Sequence, residues 1–336
     1  MKRLFLPLII FLCGIMQPFI IKGQVSFGGT PPSFGYEELR LTIPQYEVIV
    51  DFDVKRQLAE DDEMESFGRP PRCAKILPVN LNMINNGEWF TLPDGTWIWK
   101  LEIFAPQALA IMLHYDKFVI PEGGKLFIYN PDHSKVLGAY NENTNSFGAE
   151  FATEFVSGDK LILEYVSPPT DEMLIPQIEI SGVAYGYNHL AVPAGNGLYR
   201  YRWDSEPCML NINCSEGANW QTEKKGIARI LMSSGGYVGL CSGTLINNTN
   251  CDFDPLFLTA YHCLDNMSST DLNRSVFYFN YEDPGCPRLN IDYSSNTLTG
   301  VTYLIDLPIS GSSDGALARF NNSIPAHYDI YLNGWD

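Results

Sequence analysis

The chain has 336 residues, 45% of them hydrophobic and 13% aromatic, and carries a formal net charge of −17. That length accommodates two domains of ordinary size, each with its own core. The acidic balance excludes non-specific nucleic-acid binding and is read as a well-hydrated surface.

Residues 1–24 read as a secretory signal peptide. Lys2 and Arg3 supply the positive start, and Leu4 to Met16 is a nearly unbroken apolar run, short for a bilayer span. Cleavage is expected near Gly23 or Gln24. Two alternatives are an uncleaved anchor reaching Ile21 and a lipoprotein modified at Cys13, although Leu12 is bulky where a small residue is wanted. No later segment is apolar over enough residues to cross a membrane. The expectation is a secreted product, extracellular or periplasmic, without stable membrane insertion after signal cleavage.

Residues 25–66 hold Gly28-Gly29, Pro31-Pro32, Gly35 and the acidic run Asp61-Asp62-Glu63, and read as an extended leader without a core. Residues 67–190 read as a small all-β domain. Trp97–Ile103 alternates at period two, Pro93-Asp94-Gly95 and Pro121-Glu122-Gly123-Gly124 mark turns, and further strands are predicted over 110–114, 125–129, 161–165 and 178–187. This rhythm predicts a β-sandwich. His114, His133 and His189 are scattered there, without catalytic spacing. Residues 191–206, with Pro193, Gly195, Gly197, Arg200 and Arg202, read as a linker and processing region.

Apart from Cys13 and Cys73, the cysteines all follow residue 204: Cys208, Cys214, Cys241, Cys251, Cys263 and Cys286. Export permits disulfides, and the spacing alone leaves their pairing open. The stretch CSGTLINNTNCDFDPLFLTAYHC, Cys241 to Cys263, reads as a strand over 237–246, a turn, and a second strand running from Leu256 to His262. If these strands lie side by side, a bond between the two cysteines would fix His262 at a strand end, and general-base chemistry requires such fixed geometry. A zinc reading of Cys241, Cys251, His262, Cys263 and Cys286 lacks the close ligand pairs that structural zinc prefers. It also sets His262 and Cys263 on opposite faces of one strand, so no metal or cofactor is expected. Strands are predicted over 276–281 and 297–304. Gly311-Ser312-Ser313-Asp314-Gly315 satisfies G-x-S-x-G formally, with Ser313 as nucleophile, but lacks the β/α alternation around such an elbow.

The pair CSGTLI and LTAYHC resembles the histidine region of trypsin-like serine proteases. Over roughly residues 204–336, EPCMLNINCSEG, Asn247-Asn248 and Cys286-Pro287-Arg288 narrow the resemblance to the bacterial lysyl endopeptidases. The resemblance implies that His262 is the general base of a Ser-His-Asp triad. Asp314, in Asp314-Gly315-Ala316-Leu317, then matches the triad acid that orients it. It also implies the disulfides Cys214–Cys286 and Cys241–Cys263, leaves Cys208 without its C-terminal partner, and does not account for Cys251. Residues 67–190 resemble the family's propeptide, which implies a domain that covers the catalytic domain and assists its folding.

The fold expectation is all-β, an N-terminal β-sandwich propeptide-like domain followed, over 207–336, by the first β-barrel half of a trypsin-like fold. The functional expectation is a secreted serine endopeptidase precursor acting on protein or peptide substrates, after Lys or Arg by resemblance. No glycine-flanked serine follows Asp314, and Ser242 and Ser275 lack that context. The chain is therefore expected to be truncated before the catalytic serine and inactive alone. The alternative is a non-catalytic secreted protein- or glycan-binding protein that retains a protease-like barrel.

Overall fold

The structure is a computed structural model. It describes residues 26–36, 39, 43–145, 148, 150–168, 173–192, 210–250, 252–286, 296–307 and 313–334. The expected signal peptide, most of the linker, Cys208 and Cys251 lie outside the described residues.

In chain order the first elements are β1 (Gln45–Glu47), α1 (Val54–Ser66), β2 (Arg72–Asn82), β3 (Glu88–Thr91), β4 (Trp97–Phe104), β5 (Ala110–Val119), β6 (Lys125–Tyr129) and β7 (Val136–Tyr140). Then come β8 (Phe151–Ala152), β9 (Val156–Ser157), β10 (Lys160–Val166) and β11 (Gln177–Gly186). The remainder comprises β12 (Ile227–Ser234), β13 (Tyr237–Ile246), β14 (Leu256–Thr259), α2 (Tyr261–Leu264), α3 (Ser269–Asn273), β15 (Val276–Phe279), β16 (Asn296–Thr299), β17 (Val301–Leu307) and β18 (Gly315–Phe320). The fold is all-β.

Two sheets face each other across the larger core. One runs β1-β4-β10-β6-β7, with β3 beside β4; the other contains β2-β11-β5, with β8 and β9 on β5. Period-two alternation sends Trp99, Leu101 and Ile103 of β4, Leu113 and Tyr115 of β5, and Leu161, Leu163 and Tyr165 of β10 into the space between them.

The strands from β12 onward close on themselves. β13 pairs with β12 and β14, β14 with β18, β18 with β17, and β15 joins β16 to β12. Only Gly300, at φ +89°, separates β16 from β17, so the strand predicted over 297–304 is one strand bent at a glycine that closes the ring. Ile230, Phe257, Phe277, Phe279, Leu298, Ala318 and Phe320 fill its interior.

β15 is buried at all four positions. Phe277 and Phe279 point into the barrel, whereas Val276 and Tyr278 join a separate core with Cys73, Ala74, Met112, Phe155 and Val238. The outside of the barrel here is thus covered by the N-terminal half. The two halves also share backbone pairing, because Tyr237, Val238 and Gly239 of β13 register with Lys75, Ala74 and Arg72 of β2.

Part of the stretch expected to be an extended leader is helical. Asp53 caps α1 by accepting from the Arg56 amide at 2.9 Å, and Gly68, at φ +75°, follows its end. The helix has no apolar stripe; it buries Gln57 and Asp61 instead. Asp61 meets Arg72 at 2.6 Å and the Tyr187 hydroxyl at 2.7 Å, and Gln57 accepts from Tyr237 at 3.1 Å. The polar partners sit exactly where β2 and β13 join, and a hydropathy pattern carries no signal for them.

Candidate functional site

The site begins with a close approach of two strands. Gly243 of β13 pairs with Thr259 of β14, and a Cβ at Gly243 would lie 2.4 Å from the Phe257 ring and 2.5 Å from the Leu258 carbonyl. The glycine of the Cys-x-Gly stretch is therefore what lets β14 lie down on β13. Thr259 then donates from Oγ1 to the Ser242 carbonyl at 2.8 Å, at the point where β14 ends.

His262 does not continue the strand expected from Leu256 to His262, which ends at Thr259. After Ala260 the chain enters the single helical turn of α2, fastened to β13 by the Cys241–Cys263 disulfide, Cα–Cα 6.1 Å. Tyr261 adds a hydrogen bond to Asp265 at 2.8 Å. A turn of helix replaces the strand because the β14–β18 ladder ends at Thr259 and Ala316, leaving the next residues to satisfy their backbone groups locally. The second disulfide, Cys214–Cys286, anchors the chain entering the barrel.

The same ladder positions Asp314. Continued two residues beyond the Thr259–Ala316 pair, the register sets Asp314 across from Tyr261, one residue from His262. The Asp314 carboxylate takes both available donors. Oδ1 accepts from the His262 amide at 3.1 Å, and Oδ2 lies 2.7 Å from Nδ1 of the ring. The amide first, and the ring second, hold the Asp314 carboxyl below its ordinary pKa. The side chains remain 32% and 38% exposed. A carboxylate on Nδ1 fixes the tautomer that leaves Nε2 to exchange a proton, and it stabilises the imidazolium once formed. Among the described residues Nε2 has no hydrogen-bond partner.

The other sequence candidates fall elsewhere. Ser275 is fully buried and donates to the Asp271 carbonyl at 2.9 Å, so it is unavailable as a nucleophile. Ser242 is exposed on β13 and lines a cavity of about 470 Å³ with Trp220, Ile227, Tyr278 and Asn333, whose walls include neither His262 nor Asp314. Ser313 precedes β18, a strand, whereas a nucleophile elbow leads into a helix. Gly311 and Ser312 of that motif lie outside the described residues. His114 is buried, His133 stacks on Phe34 at 3.6 Å, and His327 is exposed beside Tyr328.

Cys241, His262 and Cys263 bring their ligand atoms within 4.8 Å of one another. This corrects the expectation that His262 and Cys263 point apart, since both stand on one helical turn. The two sulfurs are bonded to each other, so neither offers the thiolate that zinc takes. Thr259, Tyr261 and Asp265 brace the turn without having been singled out in the sequence; LTAYHC followed by Asp265 holds no signal for that brace beyond the motif itself.

Residues 203–336 match a protein family described as lysyl endopeptidase, C-terminal domain. A curated lysyl endopeptidase from Pseudomonas aeruginosa is 22% identical over 258 residues, which make up 74% of this chain and 54% of the relative. The chain thus spans about half the length of that relative. It is similar to lysyl endopeptidases through its C-terminal residues 203–336 and, at low identity, over the longer alignment.

Proposed function

We propose that the whole protein is a secreted serine endopeptidase made as a precursor, with His262 as general base and Asp314 as the acid that orients it. The observation that carries the reading is the two-point hold of Asp314 on His262, at both the amide and Nδ1. In the proposed cycle a serine attacks the scissile carbonyl, His262 Nε2 takes its proton, and the same proton is returned to the leaving amine. The proposal assigns that role to neither Ser242 nor Ser275, since neither is hydrogen-bonded to His262 and Ser275 donates to the Asp271 carbonyl. Preference for lysine is proposed from the name of that relative, a lysyl endopeptidase.

The region 67–190 is proposed to be the propeptide. Its support is the shared sheet and the contacts across it. Thr270 and Asn273 donate to Glu150 at 2.9 and 3.1 Å, Thr297 to Glu154 at 2.9 Å, and Arg229 to the Leu190 carbonyl at 2.7 Å. Secretion is supported by two disulfides, which persist in oxidising compartments. No helix among the described residues is long and apolar enough to cross a membrane.

The test is fluorophosphonate labelling and hydrolysis of a lysyl peptide ester by the whole protein, and both are expected of it. Asp314→Asn in it should lower kcat on the order of 10⁴-fold, with no change in circular dichroism. Unchanged hydrolysis in His262→Ala would refute the assignment.

A further inference from the structure

Alternation along the first sheet gives its two faces different tasks. Leu163 of β10, Leu101 of β4 and Ile128 of β6 point into the sandwich, so Glu164, Lys100 and Tyr129 point outward. Outward positions on a sheet ordinarily meet water, yet these three are 0%, 1% and 1% exposed. Glu164 and Lys100 are direct cross-strand partners, with Nζ and Oε2 3.7 Å apart. A buried charge pair of this kind is costly unless its remaining hydrogen-bonding capacity is filled.

Residues 26–36 lie on this face and supply the partners. The Ser33 amide donates to Glu164 Oε1 at 2.9 Å, and the Ser33 hydroxyl bonds Oε2, which also accepts from Tyr129 at 2.7 Å. Lys100 donates to Ser33 Oγ at 2.9 Å and to the Leu39 carbonyl at 3.1 Å. One residue on, Phe34 stacks on His133 at 3.6 Å and meets Tyr129 edge-on at 4.9 Å. Upstream, the segment pairs by backbone with β7. Phe27 donates to the Ala139 carbonyl at 3.1 Å, and Ala139 donates to Gly28 at 3.1 Å. A charged pair that reads one serine, an aromatic slot for the next residue and a strand edge for the approach together form the usual parts of a peptide-recognition site.

We propose that the outer face of the first sheet is a peptide-acceptor site for a Pro-Ser-Phe turn approached by an extended strand, filled in cis by residues 26–36. The ligand class is a short peptide in which serine and then an aromatic residue follow proline. Glu164 and Lys100 select the serine, and Tyr129 with His133 selects the ring. This inference is independent of the proposed proteolysis.

The tethered segment competes at an effective concentration of about 1 mM, so the wild-type chain should resist added peptide. The experiment offers a fluorescent peptide of residues 26–36 to the full chain and to Ser33→Ala/Phe34→Ala, with anisotropy as the readout. The variant should bind at least about tenfold more tightly than wild type, and adding Glu164→Gln should abolish the binding. No binding by the folded variant up to about 1 mM peptide, the tether's own scale, would overturn the proposal. So would equal binding of a peptide carrying alanine at both positions. If the variant does not fold, the wild-type chain is cut at a protease site inserted after Tyr36, then filtered and weighed by mass spectrometry. Retention of its own fragment, or its exchange for the labelled one, supports the site; retention of neither overturns it.

Discussion

His114 makes the junction between the two halves sensitive to acid. It stands on β5, paired with Ala152 and packed beside Gly182, and its Nε2 is 3.1 Å from Ser233 Oγ on β12. The charge facing it is Arg274, itself engaged by Asp116 and Ser181. Burial first, and Arg274 second, push the imidazole down to about 3 from an ordinary 6.5. The folded value lies below the unfolded one, so below pH 6.5 the unfolded chain binds the extra proton. Stability is therefore full above that pH and is lost as pH falls toward 3. One proton at about 1.4 kcal/mol per pH unit removes roughly 2 kcal/mol between pH 6.5 and 4.5. His114→Gln keeps an amide for Ser233 but cannot protonate. Urea unfolding of both proteins at both pH values isolates the term, since carboxylates contribute alike to each and cancel. The variant should lose about 2 kcal/mol less than wild type on acidification. Equal losses would refute the reasoning.

Replacing Cys241 and Cys263 with serine opens a link of sequence separation 22 and should cost about 3 kcal/mol, read as a lowered denaturant midpoint. Phe257→Ala empties a position with no exposure between Phe277 and Phe320, and a loss of about 3–5 kcal/mol is expected by the same measurement. Lys100→Met alone leaves Glu164 unpaired and should cost about 3–5 kcal/mol. Lys100→Met with Glu164→Leu should cost clearly less, and a double variant as unstable as the single one would contradict the pairing.

The strands around Cys241–Cys263 were the most legible in the sequence, because there the signal is local. Cys241, Gly243, Thr259 and His262 fall within one stretch; the strand over 237–246 reads directly from its apolar run, and the one expected over 276–281 ends at Phe279. The neighbourhood of Asp314 was legible only through resemblance, since what brings it to His262 is the β14–β18 register, a long-range property. Three features of the N-terminal half were not legible. α1 buries Gln57 and Asp61 in place of an apolar stripe, so its 3.6-residue period is invisible to hydropathy. β2 ends up between β11 and β13 by pairings across about 100 residues to β11 and more than 160 to β13, which no local pattern encodes. Lys100 sits inside an alternation that reads as half-solvated, yet residues 26–36 cover it. The helical turn at His262 was missed for a simpler reason: β-branched and aromatic neighbours favour extension until the ladder runs out of partners.

The shared strand β13 has one further consequence. A closed barrel leaves no free strand edge, and among the described residues Tyr237–Gly239 of β13 give their outer edge to β2. Removal of the N-terminal half would bare that edge and the backbone groups of Gly236 and Leu240, which now bond to Ile76 and Pro71. The bared stretch is short and bordered by Gly235 and Gly236, both at positive φ, so the chain bends away just where a second molecule would need it flat. Loss of that half would free only this short edge, but it would also bare the apolar face of Leu231, Val238, Val276 and Tyr278 that it now covers.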